Sequence, residues 1–153
     1  MFQIEGDGGV NGAGFSGSAT IDNAGSLVKS GGQGSTTVYA AVSNTGTIEA
    51  TSGTLAFQQA VGGGAFVLDG DATLDFAAGV GACSAMQFLY PGGTLEAQGV
   101  GSFAASVSGF GSLDVIDAAG MGFVTGTTTV GFGCGSLTVA DGAAGASFML
   151  VGS

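Results

Sequence analysis

A short phrase recurs along the chain: a small residue or Gly, then Ser or Thr, then Leu or Ile, a variable residue and an apolar one. Its Leu or Ile stands at positions 27, 48, 74, 95, 113 and 137, between 18 and 26 residues apart. A unit of about 20 residues that repeats with drift is typical of a β-solenoid, because each coil can lengthen its turns without disturbing its strands. The copies are residues 25–28, 46–50, 53–57, 72–76, 93–97, 111–115 and 135–139.

Within each phrase the apolar positions alternate with polar ones, which is the period of a β-strand with one buried face. Ile48 and Leu55 are only seven residues apart, so we interpret them as two sides of one coil that meet at a corner at residues 51–53. No window has a sustained helical period. The sequence therefore predicts one all-β domain over residues 1–153, a parallel β-helix (β-solenoid) of about seven coils.

Glycine supports the same interpretation, since 33 of the 153 residues are Gly and solenoid corners need its conformational freedom. The alternatives are a β-sandwich and a small barrel, which also have short strands at this spacing. Both need tight hairpins, for which Asn-Gly or Asp-Gly turns are the usual signal. Such dipeptides occur at 7–8, 11–12, 69–70 and 141–142, but none separates two clear strands by two residues.

The charge balance restricts the partners. Eleven acidic residues and a single base, Lys29, give a net charge of −10, and the chain has neither Arg nor His. Nothing is available to neutralise phosphates, so we expect no nucleic-acid partner. The same deficit argues against anionic lipid, and the uncharged stretch 118–140 is too rich in Gly and Thr for a transmembrane helix. We therefore expect no membrane insertion.

The absent residue types also exclude most catalytic machinery. Without His there is no Ser-His-Asp or Cys-His arrangement and no histidine-ligated metal. Carboxylates remain, and Asp69, Asp71 and Asp75 cluster within seven residues. Three interpretations of this cluster stay open: solvated turn carboxylates, a calcium site, and a carbohydrate-cleaving pair. We predict a protein that is not an enzyme and has no cofactor, calcium being the one ion that these residues suggest.

Four further acids share a position in the repeat, because each immediately follows the recurrent Leu or Ile. In a regular solenoid they would face outward and form a column of carboxylates in neighbouring coils. Like charges about 5 Å apart raise one another's pKa, so mild acid or divalent cations would stabilise such a column. Drifting coil lengths would instead scatter them. The four residues are Glu49, Asp75, Glu96 and Asp114.

The two cysteines are not expected to form an intramolecular disulfide. Cys83 and Cys134 lie 51 residues apart, which is more than two coils. Two coils are separated by about 10 Å along the stack, beyond the Cα distance that a disulfide spans.

Both chain ends are apolar strands without an evident cap. A solenoid leaves unpaired N–H and C=O groups on its terminal coils, which can template another chain. A head-to-tail contact between such ends need not close, so it grows as a filament. We expect self-assembly into a homo-oligomer or filament through Phe2 and Ile4 at one end and Phe148 and Leu150 at the other. A section of a longer stalk is the alternative interpretation.

Several stretches resemble the repeat region of bacterial autotransporter and haemagglutinin-like adhesins. They are 21–32 (IDNAGSLVKSGG), 42–50 (VSNTGTIEA), 52–55 (SGTL), 92–96 (GGTLE), 107–111 (VSGFG) and 114–117 (DVID). The resemblance spans roughly residues 16–139 and implies a right-handed parallel β-helix, secretion or surface display, and an adhesive or scaffolding role. We therefore expect a structural building block of an extracellular fibre, surface layer or adhesin stalk. A carbohydrate-binding or carbohydrate-cleaving module that meets a cell-surface polysaccharide is the alternative.

Overall fold

Three sheets make up the computed structural model, which describes residues 1–10, 19–99, 101, 103–142 and 144–152. Strands are numbered along the chain. Sheet A has the order β1 (Phe2–Ile4), β4 (Ser26–Lys29), β7 (Thr47–Ala50), β10 (Ala65–Leu68), β12 (Ala85–Phe88), β14 (Ser106–Ser108), β18 (Ala144–Val151), β17 (Ser136–Asp141) and β16 (Thr128–Gly133). Sheet B has the order β2 (Gly8–Val10), β5 (Ser35–Val38), β8 (Thr54–Phe57), β11 (Thr73–Phe76), β13 (Thr94–Ala97) and β15 (Val115–Asp117). Sheet C has the order β3 (Thr20–Asn23), β6 (Ala41–Asn44) and β9 (Val61–Gly62).

The chain visits the sheets in turn, and strands of successive turns pair in parallel. In sheet A, Leu27 pairs with Ile48, Ile48 with Phe66, and Phe66 with Met86, at separations of 21, 18 and 20 residues. This confirms the all-β prediction and the parallel β-solenoid. The described residues contain no helix, and accordingly none that could span a membrane.

The solenoid has about five turns rather than the predicted seven, because the copies of the phrase do not mark one coil each. Ile48 lies in sheet A and Leu55 in sheet B of the same turn, on either side of residues 51–53, as predicted. At that corner Gly53 has a φ of +57°, and a Cβ there would lie 2.4 Å from the carbonyl oxygen of Gly34. Leu137 lies in an antiparallel hairpin and not in a coil.

Inward side chains of the three sheets form one core. In β7, Ile48 and Ala50 are fully buried while Thr47 and Glu49 point outward, as the alternation predicts. Aromatic rings stack along the axis: the Phe57 and Phe76 centroids are 5.5 Å apart with nearly parallel planes. Further ring pairs join Phe66 to Phe76, Phe76 to Phe103, Phe103 to Phe148, and Phe88 to Phe110.

The C-terminal part departs from the repeat. After β15 the chain forms two antiparallel pairs, β16 with β17 and β17 with β18, and the end of β18 then pairs in parallel with β14. Phe148 of β18 is 1% exposed and packs against Phe103, so this antiparallel unit covers the core at the C-terminal end. The expectation that the run around Phe148 and Leu150 is an uncapped end strand is therefore wrong. Local alternation cannot distinguish a parallel partner from an antiparallel one.

Candidate functional site

A row of three carboxylates lies on the outer face of sheet B. Asp75 of β11 pairs in register with Glu96 of β13, and Glu96 pairs with Asp117 of β15. Neighbouring strands are about 4.8 Å apart, so these like charges are held at close range. We call these three residues the acidic row.

The electrostatics of the acidic row follow from burial and repulsion. Partial burial raises the pKa of Asp75, and a hydrogen bond from Gln98 opposes that shift. Burial also raises the pKa of Glu96, to which the charges of Asp75 and Asp117 add. The Gln98 Nε2 atom lies 2.9 Å from Asp75 Oδ1 and 3.4 Å from Glu96 Oε1, so one amide donates to both carboxylates. Asp75 and Glu96 therefore bind protons more readily than free carboxylates do.

Only Asp75 and Glu96 of the predicted column share this row. Glu49 lies on sheet A, because the recurrent apolar residue that precedes it, Ile48, is in β7. The corresponding residues Leu74 and Leu95 are in β11 and β13 of sheet B. Asp114 lies in the turn before β15, where its carboxylate accepts backbone N–H groups of residues 92, 93 and 111. These bonds fix the turn. As a result Ile116 takes the inward position beside Leu95, and Leu113, which the repeat predicts to be inward, is exposed. The column is therefore corrected to the acidic row, with Asp117 as its third member.

The predicted calcium ligands are also dispersed. Asp69 and Asp71 lie in the turn between β10 and β11, whereas Asp75 lies on the outer face of β11. Within the part of the chain that the structure describes, no three acidic or cysteine side chains come together as a group that could hold a metal ion. Calcium binding at this segment stays a prediction from sequence.

We expect Glu96→Gln to reduce the stabilisation of the fold by mild acid. Folding raises the pKa values of Asp75 and Glu96, so the folded chain binds these two protons more tightly than the unfolded chain does. The free energy of unfolding therefore increases as the pH falls through the raised pKa values toward about 4. The variant removes one charge of the row, so at pH 7 it should be more stable by less than about 1 kcal/mol. Urea unfolding at pH 7 and pH 4 measures the difference. Glu49→Gln is the matched control on sheet A, and identical pH profiles of Glu96→Gln and the unmodified chain would contradict the prediction.

The N-terminal end of the solenoid is open among the described residues. Strands β1, β2 and β3 are the end strands of sheets A, B and C. Phe2 and Ile4 are on the core face of β1, because they pair with the buried Leu27 and Lys29, yet Phe2 is 56% exposed. Phe2, Val10, Ile21 and Leu27, together with Asp22 and Asn23, line a cavity of about 440 Å³ there. These two predicted assembly residues therefore occupy a solenoid end.

At the C-terminal end the predicted assembly residues are not on the surface edge. Phe148 is buried, and Leu150 is half-buried beside Val107 of β14. The end strand of sheet A is β16, where Val130 and Phe132 are 70% and 65% exposed. The exposure of Phe132 follows from its place on an end strand, because no further strand lies beyond β16 among the described residues.

No protein-family model, curated protein or solved structure matches this chain. The structure supports the resemblance of the repeats at the level of the parallel β-helix fold, and no match supports the adhesin family itself.

An ion pair that sequence reasoning missed joins the first two turns. Lys29 is 0% exposed on the core face of β4, and its Nζ donates to Asp7 Oδ1 at 3.1 Å and to the Gly31 carbonyl at 2.7 Å. Asp7 Oδ2 accepts the backbone N–H of Gly34 at 3.0 Å. The one lysine of the sequence is therefore buried in an ion pair. The alternation Leu27-x-Lys29 is the signal that could have placed it inward.

The cysteines are free and exposed, in agreement with the prediction that they form no intramolecular bridge. Cys134 and Gly135 form the two-residue turn of the β16–β17 hairpin, with φ values of +53° and +73°. A turn with two positive φ values favours Asn-Gly, and a thiol-bearing residue is unusual in it.

Cys134→Asn is therefore expected to raise the free energy of unfolding by about 0.5–1 kcal/mol, because Asn adopts the left-handed conformation more readily than Cys. Urea unfolding under reducing conditions gives the value. Cys134→Ala removes the thiol and keeps the strain, so it should give no gain. Equal stability of the Asn and Ala variants would show that the turn backbone is not the cause.

Proposed function

We propose that this protein is a structural, non-catalytic building block of an extracellular fibre, surface layer or adhesin stalk, and that it self-associates through its solenoid ends. One observation carries the proposal: among the described residues, strand edges remain open at both ends of the stack. They are β1, β2 and β3 at one end and β15 and β16 at the other. Such edges offer unpaired backbone groups to a further strand.

Three further features support a structural role. The chain has no His and no Arg, and its only Lys is buried in an ion pair, so few groups remain for acid–base or nucleophilic chemistry. Several large apolar side chains lie on the surface near the solenoid ends, as expected of contact surfaces. The repeats resemble those of bacterial secreted adhesins, which supports location outside the cell or at its surface. A partner that is nucleic acid or membrane does not fit the charge of −10.

Negative-stain electron microscopy and sedimentation of the purified chain over a range of concentrations test this function. We expect elongated particles whose length increases with concentration. Because both ends carry exposed acids, among them Glu5, Asp22 and Asp117, assembly should strengthen as ionic strength rises from about 0.15 M to about 1 M. A chain that remains monomeric at its highest soluble concentration under both conditions would refute the proposal.

A second candidate function, polysaccharide binding, is favoured by one cavity on the side of the solenoid. It has a volume of about 350 Å³, and its lining includes Leu89, Tyr90, Leu113 and Asp114. Tyr90 is 60% exposed, and exposed aromatic faces are typical of sugar-binding surfaces. Asp114 is committed to backbone N–H groups, so cleavage is not supported there. Tyr90→Ala should abolish retention on immobilised polysaccharide and leave assembly unchanged. Equal retention of both chains would remove this candidate.

A further inference from the structure

The two end strands of sheet A match each other in direction. Strand β1 pairs in parallel with β4, and the parallel pairing continues through β14 to β18. Strand β17 is antiparallel to β18, and β16 is antiparallel to β17. Two reversals restore the original direction, so β16 runs parallel to β1. A second copy in the same orientation would therefore place its β1 parallel to β16.

The apolar faces of these strands match as well. Phe132 pairs with Leu137 and Val130 with Val139, and Leu137 in turn pairs with the buried Phe148. Val130 and Phe132 are thus on the core face of sheet A. Phe2 and Ile4 are on the core face of β1, next to the open cavity. Sheet continuity between two copies would bring both apolar pairs to the same side.

Of the three sheets in the described part of the chain, sheet A is the one that extends past the last coil and is placed to make this contact. Sheet B ends at β15, which belongs to the same turn as β14, whereas sheet A continues beyond β14 with β18, β17 and β16. The antiparallel unit therefore projects one apolar edge past the rest of the stack. Phe123, which precedes by one residue the turn that leads into β16, is 78% exposed.

We propose that β16 of one copy pairs in parallel with β1 of a second copy, with Phe132 and Val130 entering the cavity lined by Phe2, Val10, Ile21 and Leu27. This inference rests on the proposed self-association and names its contact surfaces. The contact is heterologous, since each copy contributes a different end, and its repetition extends sheet A from copy to copy. The antiparallel unit then serves both as a cover of the core and as the connector between copies.

Two charge variants test the junction. Phe132→Glu and Phe2→Glu each place a carboxylate on one of the two apolar edges, and Glu is chosen because both ends are already acidic. Each variant should be folded, since the replaced side chain is more than half exposed, and each should sediment as a monomer. Thr129→Glu, on the outer face of β16, is the matched control and should assemble like the unmodified chain. Circular dichroism and thermal unfolding verify the fold.

Mixing the two blocked variants gives the decisive result. Phe132→Glu retains an intact β1 end, and Phe2→Glu retains an intact β16 end, so an equimolar mixture should form a one-to-one dimer and stop there. A variant that dimerises alone would indicate a contact between like ends and overturn the inference. Filaments of Phe132→Glu would overturn it while the proposed function stands. A monomeric unmodified chain would instead refute the proposed function itself.

A cross-link tests the strand pairing independently of charge. In a chain with Cys83→Ser and Cys134→Ser, Gln3→Cys and Thr129→Cys place thiols on the outer faces of β1 and β16. Gln3 is outward because its amide donates to Ser30 Oγ at 2.7 Å. If parallel pairing places position 3 of one copy opposite position 129 of the next, oxidation should link the copies by disulfides into a ladder of covalent oligomers. The pair Gln3→Cys and Gly131→Cys tests the register shifted by two residues. Gln3→Cys with Gln87→Cys, on the middle of sheet A, is the control. Ladders only in the control would overturn the pairing.

Discussion

Phe76→Ala is expected to lower the free energy of unfolding by about 4 kcal/mol, the usual cost of truncating a buried Phe. Phe76 is 1% exposed and stacks on Phe57 at 5.5 Å, while Phe66 and Phe103 meet it edge-on at 5.3 and 6.1 Å. Phe57 and Phe103 belong to the preceding and following turns, so a single ring joins three turns of the solenoid. Its loss leaves a void between strands that parallel hydrogen bonds hold at a fixed spacing, and the site cannot collapse to fill it.

Urea unfolding monitored by circular dichroism measures this loss. Phe123→Ala is the matched control, because the same truncation at a side chain that is 78% exposed should change stability by no more than about 0.5 kcal/mol. A loss at Phe76 below about 1.5 kcal/mol would mean that the aromatic stack is not the main packing unit of the core.

The inward positions of the regular coils are predictable from sequence because a strand has a strict period of two. In β11 and β13 the phrase places Leu74, Phe76 and Leu95 inside, and all three are buried. The phase between coils is less predictable, because turns of different length and bonding separate the strands. At residues 111–115 the phrase is intact, yet the bonds of Asp114 place Leu113 in the turn and Ile116 inward.

The C-terminal antiparallel unit shows a second limit. Residues 135–139 match the phrase as well as any coil strand does, and a strand's own alternation does not depend on its partner's direction. The hairpin signal is a turn with two positive φ values, here formed by Cys134-Gly135, a dipeptide that is not among the usual turn signals. The β16 edge could not be predicted without that turn. In the structure Phe2 and Ile4 lie on an end strand, where the sequence places them, whereas Phe148 is buried inside the C-terminal unit.

Asp7→Asn is expected to lower the free energy of unfolding by about 3 kcal/mol, at the low end of the cost of leaving a buried charge without its partner. The amide that replaces Asp7 retains one acceptor oxygen but no charge, so the fully buried Lys29 Nζ loses its counter-charge and keeps neutral acceptors, among them the Gly31 carbonyl. The side chain of Asp7 is 44% exposed, and its second oxygen accepts the Gly34 N–H. A single amide oxygen cannot replace both carboxylate oxygens, so one of these two bonds between the first and second turns is lost. Water reaches the carboxylate side of the pair, which keeps the cost at the lower end.

The reverse change should cost less, and this asymmetry identifies the cause. Lys29→Met leaves Asp7 partly in water and puts an apolar side chain of similar length among Leu27, Ile4 and Ala50, with which Lys29 shares the core face. Replacement of a buried ion pair by apolar groups is often neutral or stabilising. The double variant Asp7→Asn with Lys29→Met should therefore unfold with a free energy within about 1 kcal/mol of the unmodified chain, which recovers most of the roughly 3 kcal/mol lost by Asp7→Asn alone. Urea unfolding of the four chains at pH 7 completes the cycle. Additive losses in the double variant would show that Asp7 acts through the Gly34 turn, independently of the buried lysine.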